Sequence, residues 1–319
     1  METSSCKLNE AVGRKLFSGV WSATPTPFMD TMQVDIYSVK RLVKHHLRLG
    51  VKGLFLCGTC GEGPWMTDQQ RRSLIKSVTK YAKGRLHIAA QVTDNSAPRI
   101  LDNIKMVSDC GADIAVVAPP FFMDLVTPQI LENLYLTVIE KSSLPIGIYD
   151  RGKFSSVFVP LQILKKIYMH PRVVLAKDSS SDPERMKLAL GVRKKRKELV
   201  LLNGNEFNCI TYIKAGYDGL LLGGGIFNGY MAVCIIEAVR AGNIQKAEKL
   251  QQRMNDMMFK VFGGKDCACW LSGQKKLMVD MGVFNTWKGY LGYPLTPGCC
   301  KAIKTVIKKH ADMLTPWKD

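Results

Sequence analysis

Short apolar runs alternate with longer segments of helical spacing through most of the chain. GVWSAT (19–24), GLFLC (53–57), LHIAAQV (86–92), ADIAVVA (112–118), LPIGIY (144–149), VVLAK (173–177), LVLLN (199–203) and DGLLLGG (218–224) have the length and apolar content of strands covered on both faces. Between them, DIYSVKRLVKHHLRLG, TDQQRRSLIKSVTKYAKG and SAPRILDNIKMVSDCG are apolar on one face and end in glycine, which predicts helices closed by a left-handed residue. Eight alternating units before about residue 240 point to an α/β fold, a (β/α)8 TIM barrel, rather than an open sheet. Beyond that point the strand signal stops, and segments 243–262, 266–281 and 299–312 read as helices separated by Gly and Pro. The expected division is an N-terminal tail (1–15), a catalytic barrel (16–242) and a C-terminal helical appendage (243–319).

A chain of 319 residues, 46% of them hydrophobic, can bury a sizeable core without staples. Its 10 cysteines are too dilute for a disulfide framework, and METSSCKLNEAVGRKLF lacks the apolar stretch of a secretory signal, so a reducing cytoplasm is the expected setting. No apolar run reaches the ~20 residues of a membrane span, and no membrane association is expected. The net charge of +18 fits attraction of anionic substrates or adventitious nucleic-acid binding, and field strength alone does not choose between them. Nucleic acid is not an expected partner on charge alone, and the basic run RKKRK (193–197) reads as a solvated helix end.

In such a barrel the chemistry sits at the C-terminal ends of the strands, which reduces the candidates to a few residues. Lys177 stands out. Alternation puts Val173, Leu175 and Lys177 on one face, where burial strips water from the amine and favours the neutral form that attacks a carbonyl. On residue type alone, a lysine leaving a strand for solvent is the commoner case. Tyr149 ends the preceding strand and would place a phenol beside that amine, with Thr59, at the mouth of the second strand, as a holder of its hydroxyl. Cys57 and Cys60 have Cys-x-x-Cys spacing, but a thioredoxin-type pair belongs in a much smaller domain, and neither the remaining cysteines nor the 5 histidines have metal-ligand spacing.

These residues carry a resemblance. GTCGEG (58–63) resembles the Gly-Thr/Ser-Thr-Gly-Glu motif of the dihydrodipicolinate synthase and N-acetylneuraminate lyase family; LPIGIYD is similar to its catalytic-tyrosine strand, and VVLAKDSSSD to its Schiff-base strand. Order, intervals and the GVWSATPTPF start agree over about residues 16–240. The resemblance implies a class I lyase acting on a 2-oxo acid through a Schiff base on Lys177, with Tyr149 and Thr59 handling protons. No cofactor or metal is then needed beyond the covalent lysine adduct. The substrate carboxylate would bind at Thr59, Cys60 and Gly61, where Cys60 replaces a hydroxyl with a weaker donor and shifts the burden to backbone N–H groups. Gly223, after the eighth strand, joins the expected substrate-binding set. A homo-oligomer, tetramer or dimer, is expected on the same ground.

Three departures bear on the substrate. In the synthases a tyrosine from a neighbouring subunit completes the proton relay, whereas PPFFM (119–123) offers Phe122, which has no hydroxyl. After Tyr149 the chain reads YDRGKF, so Asp150, Arg151 and Lys153 stand near the family's arginine without matching its position. At the seventh strand, Asn205 and Glu206 occupy the place of an Asp-Glu pair that contacts sugar hydroxyls in the neuraminate lyases; on residue types they serve equally as a helix cap and a first-turn acid. The expected substrate is therefore a 2-oxo-3-deoxy sugar acid. Dihydrodipicolinate synthesis is the alternative among enzymes, and a non-catalytic barrel binding a metabolite or polyanion is the alternative of another class.

Overall fold

The computed structural model describes Arg14, residues 16–123 and residues 126–317. Most of the expected N-terminal tail lies outside the described residues. Eight parallel strands close into a barrel in chain order: β1 Gly19–Ala23, β2 Gly53–Leu56, β3 His87–Gln91, β4 Ile114–Val117, β5 Ile146–Asp150, β6 Val173–Asp178, β7 Val200–Asn203 and β8 Gly219–Leu222. Each matches an apolar run of the sequence to within a few residues. Helices α1 Ile36–Arg48, α2 Asp68–Ala82, α3 Ala97–Asp109, α4 Pro128–Lys141, α5 Leu161–Met169, α6 Pro183–Lys195, α7 Cys209–Ala215 and α8 Gly225–Arg240 follow the strands in turn. Four more helices come after them: α9 Ile244–Val261, α10 Trp270–Asp280, α11 Pro297–Lys309 and α12 Ala311–Leu314. No helix among the described residues is long and apolar enough to cross a membrane.

Local signals account for the helix boundaries. Thr67 caps α2 in a reciprocal box with Gln70, and the Asp35 carboxylate accepts from the amides of Tyr37 and Ser38 at the start of α1. Alternation along each strand then sorts side chains into two cores. Trp21, Phe55, Ala89, Val116, Leu175, Leu202 and Leu221 fill the barrel interior, while Val20, Leu54, Ile88, Ala115, Ile148, Ala176, Leu201 and Leu220 pack outward against the helices.

Two sequence expectations fail here for identifiable reasons. Val173 does not share a face with Leu175 and Lys177: the β5–β6 register steps from Ile146↔Val173 to Gly147↔Leu175, so Val174 is an extra residue and Val173 falls into the outer core. The run RKKRK is not uniformly solvated. Arg193 is buried against Asp218, and Arg196 is buried beneath the carbonyls of Tyr168, His170 and Val173, which leaves only the lysines exposed. Asp218 also accepts from Arg14 Nε at 2.7 Å and from the Leu201 amide at 2.9 Å, tying together the end of the barrel where its strands begin.

Candidate active site

The register Tyr149↔Lys177 puts phenol and amine side by side on the interior face of adjacent strands. Lys177 is only 5% exposed. Its Nζ lies 4.1 Å from the centre of the Tyr149 ring and 5.2 Å from that of Phe55, and donates a hydrogen bond to no described residue. The adjacent Asp178 points the other way, accepting from Tyr217 Oη at 2.8 Å and the Ser180 amide at 2.9 Å. Gly204 makes room for the lysine arm: a Cβ there would stand 1.9 Å from Ser179 Oγ and 3.0 Å from Lys177 Cε.

The turn after β2 is an anion-receptive loop bounded by two left-handed residues, Cys57 and Glu62, each with φ of 57°. The amides of Thr59, Cys60 and Gly61 donate to no described acceptor, so they are free for a carboxylate. Gly63 must be glycine, since a Cβ would fall 1.9 Å from the Cys57 carbonyl oxygen. Cys57 packs in the outer core and Cys60 in the inner one; both thiols are free, and burial pushes both up, Cys57 to about 11. Protonated thiols on opposite faces do not make a redox pair. Cys60 Sγ instead donates toward Gln274 Oε1 at 3.4 Å and the Gly223 carbonyl at 3.6 Å.

Gln274 Nε2 also donates to the Gly223 carbonyl at 3.1 Å, so α10 bridges the loops after β2 and β8. The next residue, Lys275, forms a buried ion pair with Glu62 and donates to the Lys288 carbonyl at 2.9 Å. Glu62, the acid of the GTCGEG motif, thus fastens the turn to the C-terminal helices and does not face the barrel mouth.

Beyond β7, helix α7 begins later than the sequence suggests, with Asn208 at its cap, so Asn205 and Glu206 are neither cap nor first-turn acid. Asn205 Oδ1 accepts from the Phe207 amide at 3.2 Å and its Nδ2 donates to Ser181 Oγ at 3.0 Å. Glu206 is buried, with Oε2 accepting from the Gly224 amide at 2.7 Å. Burial pushes its carboxyl up, opposed by the Gly224 and Asn228 hydrogen bonds and by the charge of Lys177 nearby. Its Oε1 takes no hydrogen bond from a described residue and lies 3.3 Å from where a Gly223 Cβ would be.

A cleft of about 380 Å³ opens beside the ring of Tyr149, lined by Thr59, Tyr149, Gln91, Arg151, Trp65 and Phe121 among others. Thr59 and Tyr149 share it, but their hydroxyls are not hydrogen-bonded to each other. Phe122 is 75% exposed and lies outside its lining. Of the charged residues after Tyr149, only Arg151 reaches the cleft. Asp150 turns outward to a buried pair with Arg185, and Lys153 is exposed over the Phe154 ring.

Gln91 was legible as a polar residue ending the interior face of a strand, a signal that sequence reading passed over. Gln274 and Lys275 gave none, because their partners lie 214 and 213 residues away.

The sequence model of the Dihydrodipicolinate synthetase family matches residues 16–297, and the chain belongs to that family. It is 26% identical over 301 residues to N-acetylneuraminate lyase 2 of Escherichia coli O6:H1, covering 94% of this chain and 92% of the relative. It is also 26% identical to N-acetylneuraminate lyase of Salmonella agona, over 94% of this chain and 95% of that one. Among solved structures, dihydrodipicolinate synthase of Thermotoga maritima superposes with a TM-score of 0.83 at 22% identity, covering 93% of this chain and 99% of that one. CdNal of Clostridium difficile, solved in complex with mannosamine, gives 0.83 at 18% identity over 92% and 99%.

Proposed function

We propose that this member of the dihydrodipicolinate synthetase family is a class I lyase that cleaves a 2-oxo-3-deoxy sugar acid through a Schiff base on Lys177. One observation carries the reading: a buried amine with no hydrogen-bond partner rests on the ring of Tyr149, which lines a cleft together with Thr59 of the turn after β2. The carboxylate of the substrate binds the Thr59, Cys60 and Gly61 amides. Lys177 Nζ adds to the C2 carbonyl, and loss of water gives an iminium that draws electrons from the C3–C4 bond. Tyr149 accepts the proton of the C4 hydroxyl as that bond breaks, an aldehyde leaves, and the enamine is protonated at C3. Hydrolysis then releases pyruvate and restores the lysine. Loss of the C4 hydroxyl as water would instead give a dehydratase from the same iminium.

A sugar acid is favoured over aspartate semialdehyde by the open Oε1 of Glu206, by the missing hydroxyl at Phe122 and by the neuraminate lyase relatives. The exposed rings of Phe121, Phe122 and Phe154 are consistent with a homo-oligomer. Borohydride reduction with pyruvate should add a lactyl-sized mass to the Lys177 peptide, and a panel of 2-oxo-3-deoxy sugar acids should release pyruvate. An adduct on another lysine, or efficient condensation of pyruvate with aspartate semialdehyde and no turnover of any sugar acid, would overturn the assignment.

A further inference from the structure

The cleft beside Tyr149 holds more polar groups than the proposed chemistry uses. Gln91, at the end of β3, is 6% exposed, and its Oε1 is buried without a hydrogen-bond partner; Ser155 Oγ, on the same cleft, is likewise buried and unpartnered. Native proteins rarely leave such atoms unpaired, because the lost hydration is not replaced. The guanidinium of Arg151 also makes no ion pair or hydrogen bond with a described residue. Arg185 and Arg193, by contrast, each hold a buried carboxylate. Among the described residues no aspartate or glutamate lines the cleft, so no described carboxylate there neutralises Arg151. Trp65 and Phe121, each 45% exposed, add an apolar lip against which a carbon chain can lie.

We propose that Gln91, Arg151 and Ser155 form a specificity subsite for the far end of the substrate, selecting a 2-oxo acid that carries a hydroxyl beyond the reacting carbons and ends in an anionic group. Gln91 Oε1 accepts from a substrate hydroxyl and Ser155 completes that contact. Arg151 takes the terminal anion, a carboxylate or a phosphate monoester, through charge-assisted hydrogen bonds. The inference rests on Lys177 being the Schiff-base lysine, since that fixes which end of the substrate lies at the β2 turn.

The test uses 2-oxo-3-deoxy sugar acids that differ only in a terminal hydroxymethyl, carboxylate or phosphate group. The wild-type protein should favour at least one anionic terminus over hydroxymethyl by about 10-fold or more in kcat/KM, the size of a charge-assisted contact, and the better of the two identifies the anion. Arg151→Gln should abolish that preference, mainly through KM. Gln91→Leu should lower kcat/KM for every polyol acid by about 10-fold while the terminal preference persists. Trapping of pyruvate on Lys177 in each variant reports whether the reacting centre is still assembled. A wild-type protein indifferent to the terminus, or a preference that survives Arg151→Gln, overturns the subsite. If the wild-type protein traps no pyruvate, the Schiff-base reading falls, and calorimetric binding of the same acids to wild type and Arg151→Gln decides the subsite by the same ratio.

Discussion

Removing the ammonium of Lys275 should cost more than any exposed ion pair could. Glu62 and Lys275 have side-chain exposures of 0% and 1%, so neither charge can recover hydration when the other is lost. In Lys275→Met, the Glu62 carboxylate keeps the amides of Tyr290 at 2.6 Å and Leu291 at 3.4 Å but no counter-charge, and the Lys288 carbonyl loses its donor. Breaking one side of a buried pair costs about 3–5 kcal/mol, whereas an exposed pair costs about 0–1 kcal/mol. The double variant Glu62→Gln/Lys275→Met removes both charges and should be more stable than the sum of its single costs by about 1–3 kcal/mol. Urea unfolding followed by tryptophan fluorescence measures these differences. Gly289→Ala supplies an independent perturbation, because its Cβ would stand 2.4 Å from Glu62 Oε1 and 2.7 Å from Lys275 Nζ. A Lys275→Met protein within about 1 kcal/mol of wild type, or single costs that simply add in the double variant, would refute the claim that this pair holds the turn after β2 to α10.

Tyr149→Phe keeps the ring on which Lys177 rests and removes only the hydroxyl. Trapping of pyruvate should therefore persist while turnover slows by about 100-fold or more, and normal turnover would exclude Tyr149 from proton transfer. Stability should fall on acidification through His45 and His46. Burial holds them down at about 4 and about 3, against an ordinary 6.5, as neutral rings bonded to Ile226 O, and to Leu42 O and Ser22 Oγ. The unfolded chain binds protons that the folded one refuses below pH 6.5, so this contribution is complete above that value. Near pH 5 roughly 2 kcal/mol should be lost per histidine. An unfolding free energy that stays level from pH 7 to pH 5 would contradict it.

The strands and the side-by-side placement of Lys177 and Tyr149 were legible because they depend on local alternation and on strand order. A barrel strand buried on both faces leaves an apolar run whatever its neighbours are, and its last interior residue faces the mouth. Lys177, Tyr149 and Gln91 all follow from that rule. What escaped depends on contacts that sequence spacing does not encode. Glu62 shares the GTCGEG motif with Thr59, Cys60 and Gly61, yet its left-handed backbone turns the carboxylate to Lys275, which comes from a helix far along the chain. Arg193 and Arg196 looked solvated because their neighbours are lysines, yet buried acceptors await them at the base of the barrel. Of the two readings open for Asn205 and Glu206, helix cap and first-turn acid on one side and sugar contacts on the other, the first fails because the helix begins only at Cys209.

The extra residue in β6 connects these two kinds of information. Val173 pairs with Ile146 and packs outward; strict alternation from that point would send Leu175 and Lys177 outward too, and bring Ala176 and Asp178 into the barrel. Val174 resets the phase. After it, Leu175 sits opposite Gly147 and Lys177 opposite Tyr149, both inward, while Asp178 passes to the outer layer, where Tyr217 and Ser180 receive it. A lysine and an aspartate adjacent in sequence thus acquire opposite fates. One becomes a buried amine without a partner and the other a buried carboxylate with several, and the bulge that separates them is a single residue of backbone. The inward placement of Lys177 therefore depends on a register choice made three residues earlier, inside the apolar run that reads as plain strand.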